Sequence, residues 1–139
     1  MWAFYAVLSA IFASLVAILA KIGIEGIDSN LATAIRTVVV LILAWIIVFI
    51  TLPLDSFKTL TMRNWIFLVI SGVATGLSWL CYFKAIQLGD VSRVAPVDKM
   101  SVALTIILAF VILGEKASLQ VIVGGGLILA GSLVMVFWK

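Results

Sequence analysis

Residues 65–87 read WIFLVISGVATGLSWLCYFKAIQ, and this stretch decides the fold. Its one charged residue, Lys84, lies near its end. A helix that crosses the ~30 Å hydrocarbon core needs about 20 mostly apolar residues at about 1.5 Å rise each. Membrane strands instead alternate apolar and polar residues over segments of about ten. The stretch is continuously apolar and too long for such a strand, so it reads as a transmembrane helix.

The same reading extends along the chain and predicts five helices, at residues 2–21, 31–52, 65–87, 94–113 and 118–138. Short connectors separate them. Residues 23–30 are polar with two glycines, 53–64 open on Pro53, 88–93 contain Gly89-Asp90, and 114–117 form a tight turn. Each carries the glycine, proline or charge that marks where a chain leaves hydrocarbon. Trp2, Tyr5, Trp65, Phe137 and Trp138 sit near predicted helix ends, where amphipathic rings prefer the membrane interface. The expected fold class is an all-α membrane protein with one five-helix domain over residues 1–139. The apolar start lacks a basic leader and is followed by four more spans, so it reads as a retained helix.

Composition gives the same answer. Of the 139 residues 65% are hydrophobic and 11% charged, and the mean hydropathy is +1.37. Soluble domains carry about 25% charged residues, so the apolar excess must face lipid. Nine Lys and Arg stand against six Asp and Glu, a net +3. That excess suits membrane-edge anchoring, and no nucleic-acid partner is expected. With one cysteine, Cys81, and no histidine, an intrachain disulfide, a thiolate metal cluster and histidine catalysis are unavailable, and neither metal nor cofactor is expected. Short loops without paired mid-span acids leave no place for a nucleophile and its base, so no catalytic residues and no enzyme activity are expected.

Five spans put the two ends of the chain on opposite sides of the membrane. Lys58, Arg63 and Lys116 fall on one side, against Lys21, Arg93, Lys99 and Lys139 on the other, with Arg36 and Lys84 embedded toward the second. Orientation follows Lys/Arg asymmetry, and this bias is slight. It permits both orientations.

Charges inside a span cost at least about 2.5 kcal/mol each near the bilayer centre and point to a polar cavity. Arg36, within Thr33-Ala34-Ile35-Arg36-Thr37, lies about 8 Å into the second helix; it either lines such a cavity or snorkels to nearby headgroups. Lys21, Arg36, Lys84, Arg93 and Lys99 share a side with Glu25, Asp28, Asp90 and Asp98. Near balance predicts an ion-pair network that is a gate, a binding site or structural glue, with Lys21, Lys84 and Asp98 as the gate candidates. In the third helix Ser71, Thr75, Ser78 and Tyr82 recur at i, i+4, i+7 and i+11 and share one face. Gly72, Gly76, Trp79 and Phe83 run beside it. Ala10, Ser14, Ala17 and Lys21 in the first helix, and Asp98, Ser101 and Thr105 in the fourth, form comparable stripes. Such stripes either enclose a wet passage or have hydroxyls bonded back to their own helix and small residues packed together. Gly124-Gly125-Gly126, Ala130 and Gly131 read as packing or dimerisation surface in the last helix.

Leu88-Gly89-Asp90 leading to Val94-Ala95-Pro96, then Leu113-Gly114-Glu115 before a glycine-rich last helix, with Arg36 early in the second helix, resembles the EamA domain of the drug/metabolite transporter superfamily. The resemblance covers nearly the whole chain. Members commonly have ten helices in two inverted five-helix repeats and export amino acids or other metabolites, whereas this sequence holds one repeat. The resemblance therefore implies half of a ten-helix inverted-repeat fold, completed by an antiparallel homodimer. The expected function is secondary transport of small carboxylate-bearing, amino-acid-like metabolites by alternating access, in a bacterial or archaeal inner membrane. The expected substrate-binding residues are Arg36, Thr75, Ser78, Trp79, Tyr82 and Lys99. Asp98, after Pro96, is the acid for any proton relay, and proline leaves carbonyls free for ligation. Two alternatives stand beside it. One is an exporter of organic cations similar to the small multidrug resistance proteins, although residues 2–20 lack the mid-span acid of that family. The other is a non-transporting scaffold or lipid-handling subunit.

Overall fold

The computed structural model describes residues 1–116 and 118–138, without the side chains of Leu54 and Lys58. Ala117 of the expected last turn, and Lys139 and the Lys58 side chain of the charge tally, lie outside the described set. The helices are α1 (Trp2–Gly23), α2 (Ser29–Thr51), α3 (Met62–Leu88), α4 (Val91–Asp98), α5 (Ser101–Ile112) and α6 (Leu119–Phe137), with a short 3-10 helix at Leu54–Thr59 between α2 and α3. No strand occurs among the described residues. Five segments are long and apolar enough to cross a membrane: α1, α2, α3, Val91–Ile112 and α6. The all-α, five-span fold is thus the one the sequence predicts.

Local hydrogen bonds set the helix ends. α2 starts at Ser29 rather than at residue 31, because the Asp28 carboxylate accepts from the amides of Asn30 at 2.8 Å and Leu31 at 3.4 Å, two of the four donors that a helix start leaves orphaned. Leu52, held extended before Pro53, ends it. α3 starts at Met62 rather than at residue 65. There the Thr61 hydroxyl accepts from the Asn64 amide at 3.3 Å and donates to the Asn64 side-chain oxygen at 3.0 Å, a reciprocal cap. Ser118 caps α6 by accepting from the Val121 amide at 3.3 Å. At Gly26 (φ 78°) and Gly114 (φ 66°) the backbone is left-handed, which glycine adopts without a Cβ clash.

The fourth span corrects the expectation of one helix at residues 94–113. It is broken into α4 and α5 at Lys99 and Met100. Pro96 lies inside α4, where its missing amide proton deprives the Ser92 carbonyl, four residues earlier, of its ladder donor. Beyond it, the amides of Lys99 and Met100 reach back three residues, to the carbonyls of Pro96 and Val97, each at 3.0 Å. This is 3-10 geometry inserted in an α-helix. Side chains take up the carbonyls at the break: the Ser101 hydroxyl donates to Asp98 at 2.8 Å. The Ser132 hydroxyl lies 2.8 Å from the Pro96 carbonyl and 2.9 Å from its own helix's Ile128 carbonyl, so its one proton is shared.

The chain divides into two compact units, Leu19–Gln87 and Met1–Ile18 with Leu88–Lys139. In the latter, α6 packs on α4 through the Ser132 contact and on α5 through Gly125. A Cβ at Gly125 would lie 2.5 Å from Ile106 Cδ1, so only glycine admits this side chain as it stands. In the former, Ile24, Phe83 and Ile86 are buried together with Ser29 and Thr33, all near the α1–α2 connection. Most large apolar side chains are exposed, Ile18, Leu41, Phe67 and Leu127 among them, and lipid is their solvent. Packing and hydrogen bonds, rather than release of water from apolar surface, hold such helices together.

Two outcomes follow for unfolding in mixed micelles. Gly125→Leu is expected to cost about 1–3 kcal/mol by overpacking, with Ile106→Ala restoring most of the loss in the double variant. Ser132→Ala is expected to cost about 0.6–1.5 kcal/mol, the range for one interhelical hydrogen bond.

Candidate functional site

Arg36 lies seven residues after the start of α2, about 10 Å along the axis, deeper than a helix start at residue 31 implies. Trp79 and Phe83 are one turn apart on α3 and therefore share a face. The Arg36 guanidinium carbon sits 4.5 Å from the Trp79 ring centroid and 4.8 Å from that of Phe83. Tyr82 meets Phe83 edge-on, with centroids 5.8 Å apart and planes at 88°. Phe83 is buried, while Arg36, Trp79 and Tyr82 are half-buried. Cation–π contact contributes from about 0.5–1 kcal/mol at exposed sites to about 2 when desolvated, and it leaves the N–H edge of the guanidinium free to donate. Among the described residues, no carboxylate or carbonyl accepts a hydrogen bond from Arg36.

The threonines of the hydroxyl stripes bond back to their own helices. Thr75 is exposed and donates to the Ser71 carbonyl at 2.9 Å. On α2, beside Arg36, Thr33 donates to Ser29 at 2.8 Å and Thr37 to Thr33 at 2.7 Å; in α5, Thr105 donates to Ser101 at 2.9 Å. A hydroxyl whose proton is so engaged offers only lone pairs outward, so Thr75 and Thr37 are acceptors suited to an N–H donor. Ser78 is exposed on the same α3 face.

The cations expected at a gate have uncharged partners among their contacts. Lys21 donates to the Ile86 carbonyl at 2.7 Å, which places a positive charge on the negative end of α3. Lys84 donates to Gln87 Oε1 at 3.1 Å, and Gln87 Nε2 donates in turn to the Ile27 carbonyl at 2.8 Å. Asp98 and Lys99 pair with each other at 3.2 Å, with the lysine side chain 56% exposed. The structure thus brings Arg36 together with Trp79, and Lys84 with Gln87. Lys99 belongs to the other compact unit.

Two contributors were absent from the residues expected at a site. Phe83 had a signal, its i+4 spacing from Trp79. Gln87 had a weaker one, a polar residue three positions after Lys84 at the end of an apolar run. No group of three or more His, Cys, Asp or Glu among the described residues could hold a metal ion. A cavity of about 250 Å³ lies between the second half of α2 and the 3-10 helix, walled by Trp45, Val48, Leu52, Phe57 and Leu60. Trp45 stacks there on Phe57, with centroids 5.9 Å apart. This apolar lining offers almost no polar group for a metabolite.

Comparison with known proteins agrees with the helical membrane fold. Residues 1–137 match the EamA-like transporter family. An uncharacterized transporter in the cobO 3′ region of a Sinorhizobium species is 46% identical over 134 residues, which span 96% of this chain and 95% of that protein. No solved structure matches the chain. With five spans and a match over nearly its whole length, this multi-pass membrane protein belongs to the EamA-like transporter family.

Proposed function

We propose that the chain is a secondary transporter of small carboxylate-bearing metabolites, amino-acid-like in chemistry, working by alternating access as an antiparallel homodimer in a prokaryotic inner membrane. The observation that carries this reading is Arg36, a cation inside a span, braced on Trp79 and Phe83, that donates to no carboxylate or carbonyl among the described residues. A guanidinium presents paired N–H donors whose geometry matches a carboxylate, and a low dielectric strengthens that bond. The acceptor hydroxyl of Thr75, with Ser78 on the same face, suits an ammonium group. An amino acid has both. Asp98, which an organic-cation substrate would need, already pairs with Lys99. The proposed substrate contact therefore centres on Arg36, Thr75, Ser78, Trp79 and Tyr82.

The dimer is supported by the near-even Lys/Arg distribution, which permits a five-span repeat to insert in either orientation. Opposed copies of one repeat recreate the pseudo-two-fold arrangement through which inverted repeats alternate access to a midplane site.

Purified protein in liposomes, assayed with a panel of radiolabelled amino and 2-oxo acids, tests the site. Arg36→Ala is expected to abolish uptake, and Arg36→Lys to lower it at least about tenfold because ammonium lacks the planar fork. Trp79→Ala is expected to weaken it about five- to thirtyfold, the loss of one desolvated cation–π contact. Uptake that survives Arg36→Ala, or flux of organic cations that needs Asp98 alone, overturns the proposal. Orientation is read separately in a Cys81→Ala background. A cysteine at Asn30 and one at Ser56 are each expected to react with an impermeant maleimide in about half the molecules. Labelling at one position and never at the other rejects the antiparallel dimer.

A further inference from the structure

The end of α3 nearest the α1–α2 connection is the most tightly bound part of the Leu19–Gln87 unit. Ile24 is 3% exposed, Phe83 2% and Ile86 0%, while Ser29 and Thr33 are buried beside them in the fold. Side-chain donors bridge the same end. Gln87 Nε2 reaches the Ile27 carbonyl at 2.8 Å, Gln87 Oε1 receives Lys84 at 3.1 Å, and Lys21 reaches the Ile86 carbonyl at 2.7 Å. The Ile27 carbonyl is presented by a turn in which the Ile27 amide donates to Ile24 at 3.3 Å and Gly26 takes a positive φ.

Position along the helices gives this cluster its meaning. Gln87 lies eight residues beyond Trp79, about 12 Å of helix. Ser29 lies seven residues before Arg36, about 10 Å. On both helices the cluster is one layer nearer the aqueous face than the Arg36–Trp79 contact. Apolar burial blocks water there, and the hydrogen bonds tie the connection to α3.

From this, and resting on the reading of Arg36 as the substrate contact, we infer that Gln87 is the clasp of a gate. Its amide, by donating to the Ile27 carbonyl, closes the Arg36 site to water on the α1–α2 side, and release of that bond opens it. The clasp bond itself is a neutral hydrogen bond to a main-chain carbonyl, and the two lysines beside it donate as cations to the Ile86 carbonyl and to Gln87 Oε1. An amide fits the role because it can accept from Lys84 and donate to Ile27 at once, which neither glutamate nor leucine can do. Breaking the Gln87–Ile27 bond strips no charged group of its partner, so the gate can cycle cheaply.

The test uses the full-length protein with Cys81→Ala and a single reporter, Thr33→Cys, at a position 5% exposed behind the clasp. The readout is its rate of reaction with a charged methanethiosulfonate in membranes. Gln87→Leu and Gln87→Glu, both of which lose the donor to Ile27, are expected to raise the rate severalfold. Lys84→Met, which keeps that donor, is expected to change it less than twofold. Equal rates in all variants, or a Lys84→Met effect as large as that of Gln87→Leu, overturn the inference. Each variant is first required to elute as a single species, so misfolding is scored separately.

A second measurement separates a gate from a brace. Ile27→Cys with Gln87→Cys, joined by a short bis-methanethiosulfonate linker, is expected to lose amino-acid uptake to background and regain it on reduction. Undiminished uptake in the linked protein shows a structural brace and overturns the gate. Failure of the underlying reading looks different: uptake independent of Arg36, while Thr33→Cys reactivity still follows Gln87.

Discussion

In hydrocarbon an amide or carbonyl without a partner has no water to turn to, and each one left bare costs several kcal/mol. The rest of this structure depends on that constraint. It makes the spans helical and requires Asp28, Thr61 and Ser118 to cap α2, α3 and α6 where those helices begin. It also explains the break between α4 and α5, which is tolerable because Ser101 and Ser132 donate to carbonyls that the disturbed ladder exposes. Lys21 does the same for the last turn of α3. Polar side chains that would be surface decoration in a soluble protein are structural here.

Against this background Arg36 is the exception. The back-bonded threonines, Ser101, Ser132 and Lys84 spend donors on nearby protein acceptors, whereas the guanidinium is held by ring faces. Aromatic faces steady a cation without neutralising it. The positive field therefore remains available to a ligand, and the rigidity of two packed rings reduces the entropy lost when the ligand binds. A salt bridge would have held the side chain as firmly and cancelled that field.

Several of these features were legible in the residues. Length and apolar continuity were enough for the spans, because in a membrane they are the dominant physical requirement. Arg36, Trp79 and Tyr82 stood out as polar or aromatic residues in apolar helices. Asp28 is legible in principle as a cap, but the polarity of residues 28–30 is equally that of a loop, and α2 starts two residues before its apolar run. The break at Lys99 and Met100 was hidden because a proline kink is resolved by whatever donors lie nearby, here Ser132, 36 positions away. Gln87 and Ile27 are 60 positions apart. Neither residue type suggests the other, and only the packing of α3 against the connection makes them a pair. Near-equal charge counts are equally silent about partners, although Asp98 and Lys99 do pair. Counting signs on one side of a membrane does not say that Lys84 will choose an amide.

The back-bonded threonines have a consequence for biosynthesis. Thr33, Thr37, Thr51, Thr75 and Thr105 each donate four residues back along their own helix. Their hydroxyls are therefore satisfied within one span, before any other span has arrived. These threonines can leave the translocation machinery and enter lipid with their helix without an unmet hydroxyl donor. Contacts that reach beyond a single helix, such as those from Ser132 to Pro96, Lys21 to Ile86 and Gln87 to Ile27, use side chains near carbonyls at helix breaks and ends. Insertion and assembly are thereby separated in time, with the sequence assigning one set of hydrogen bonds to each stage.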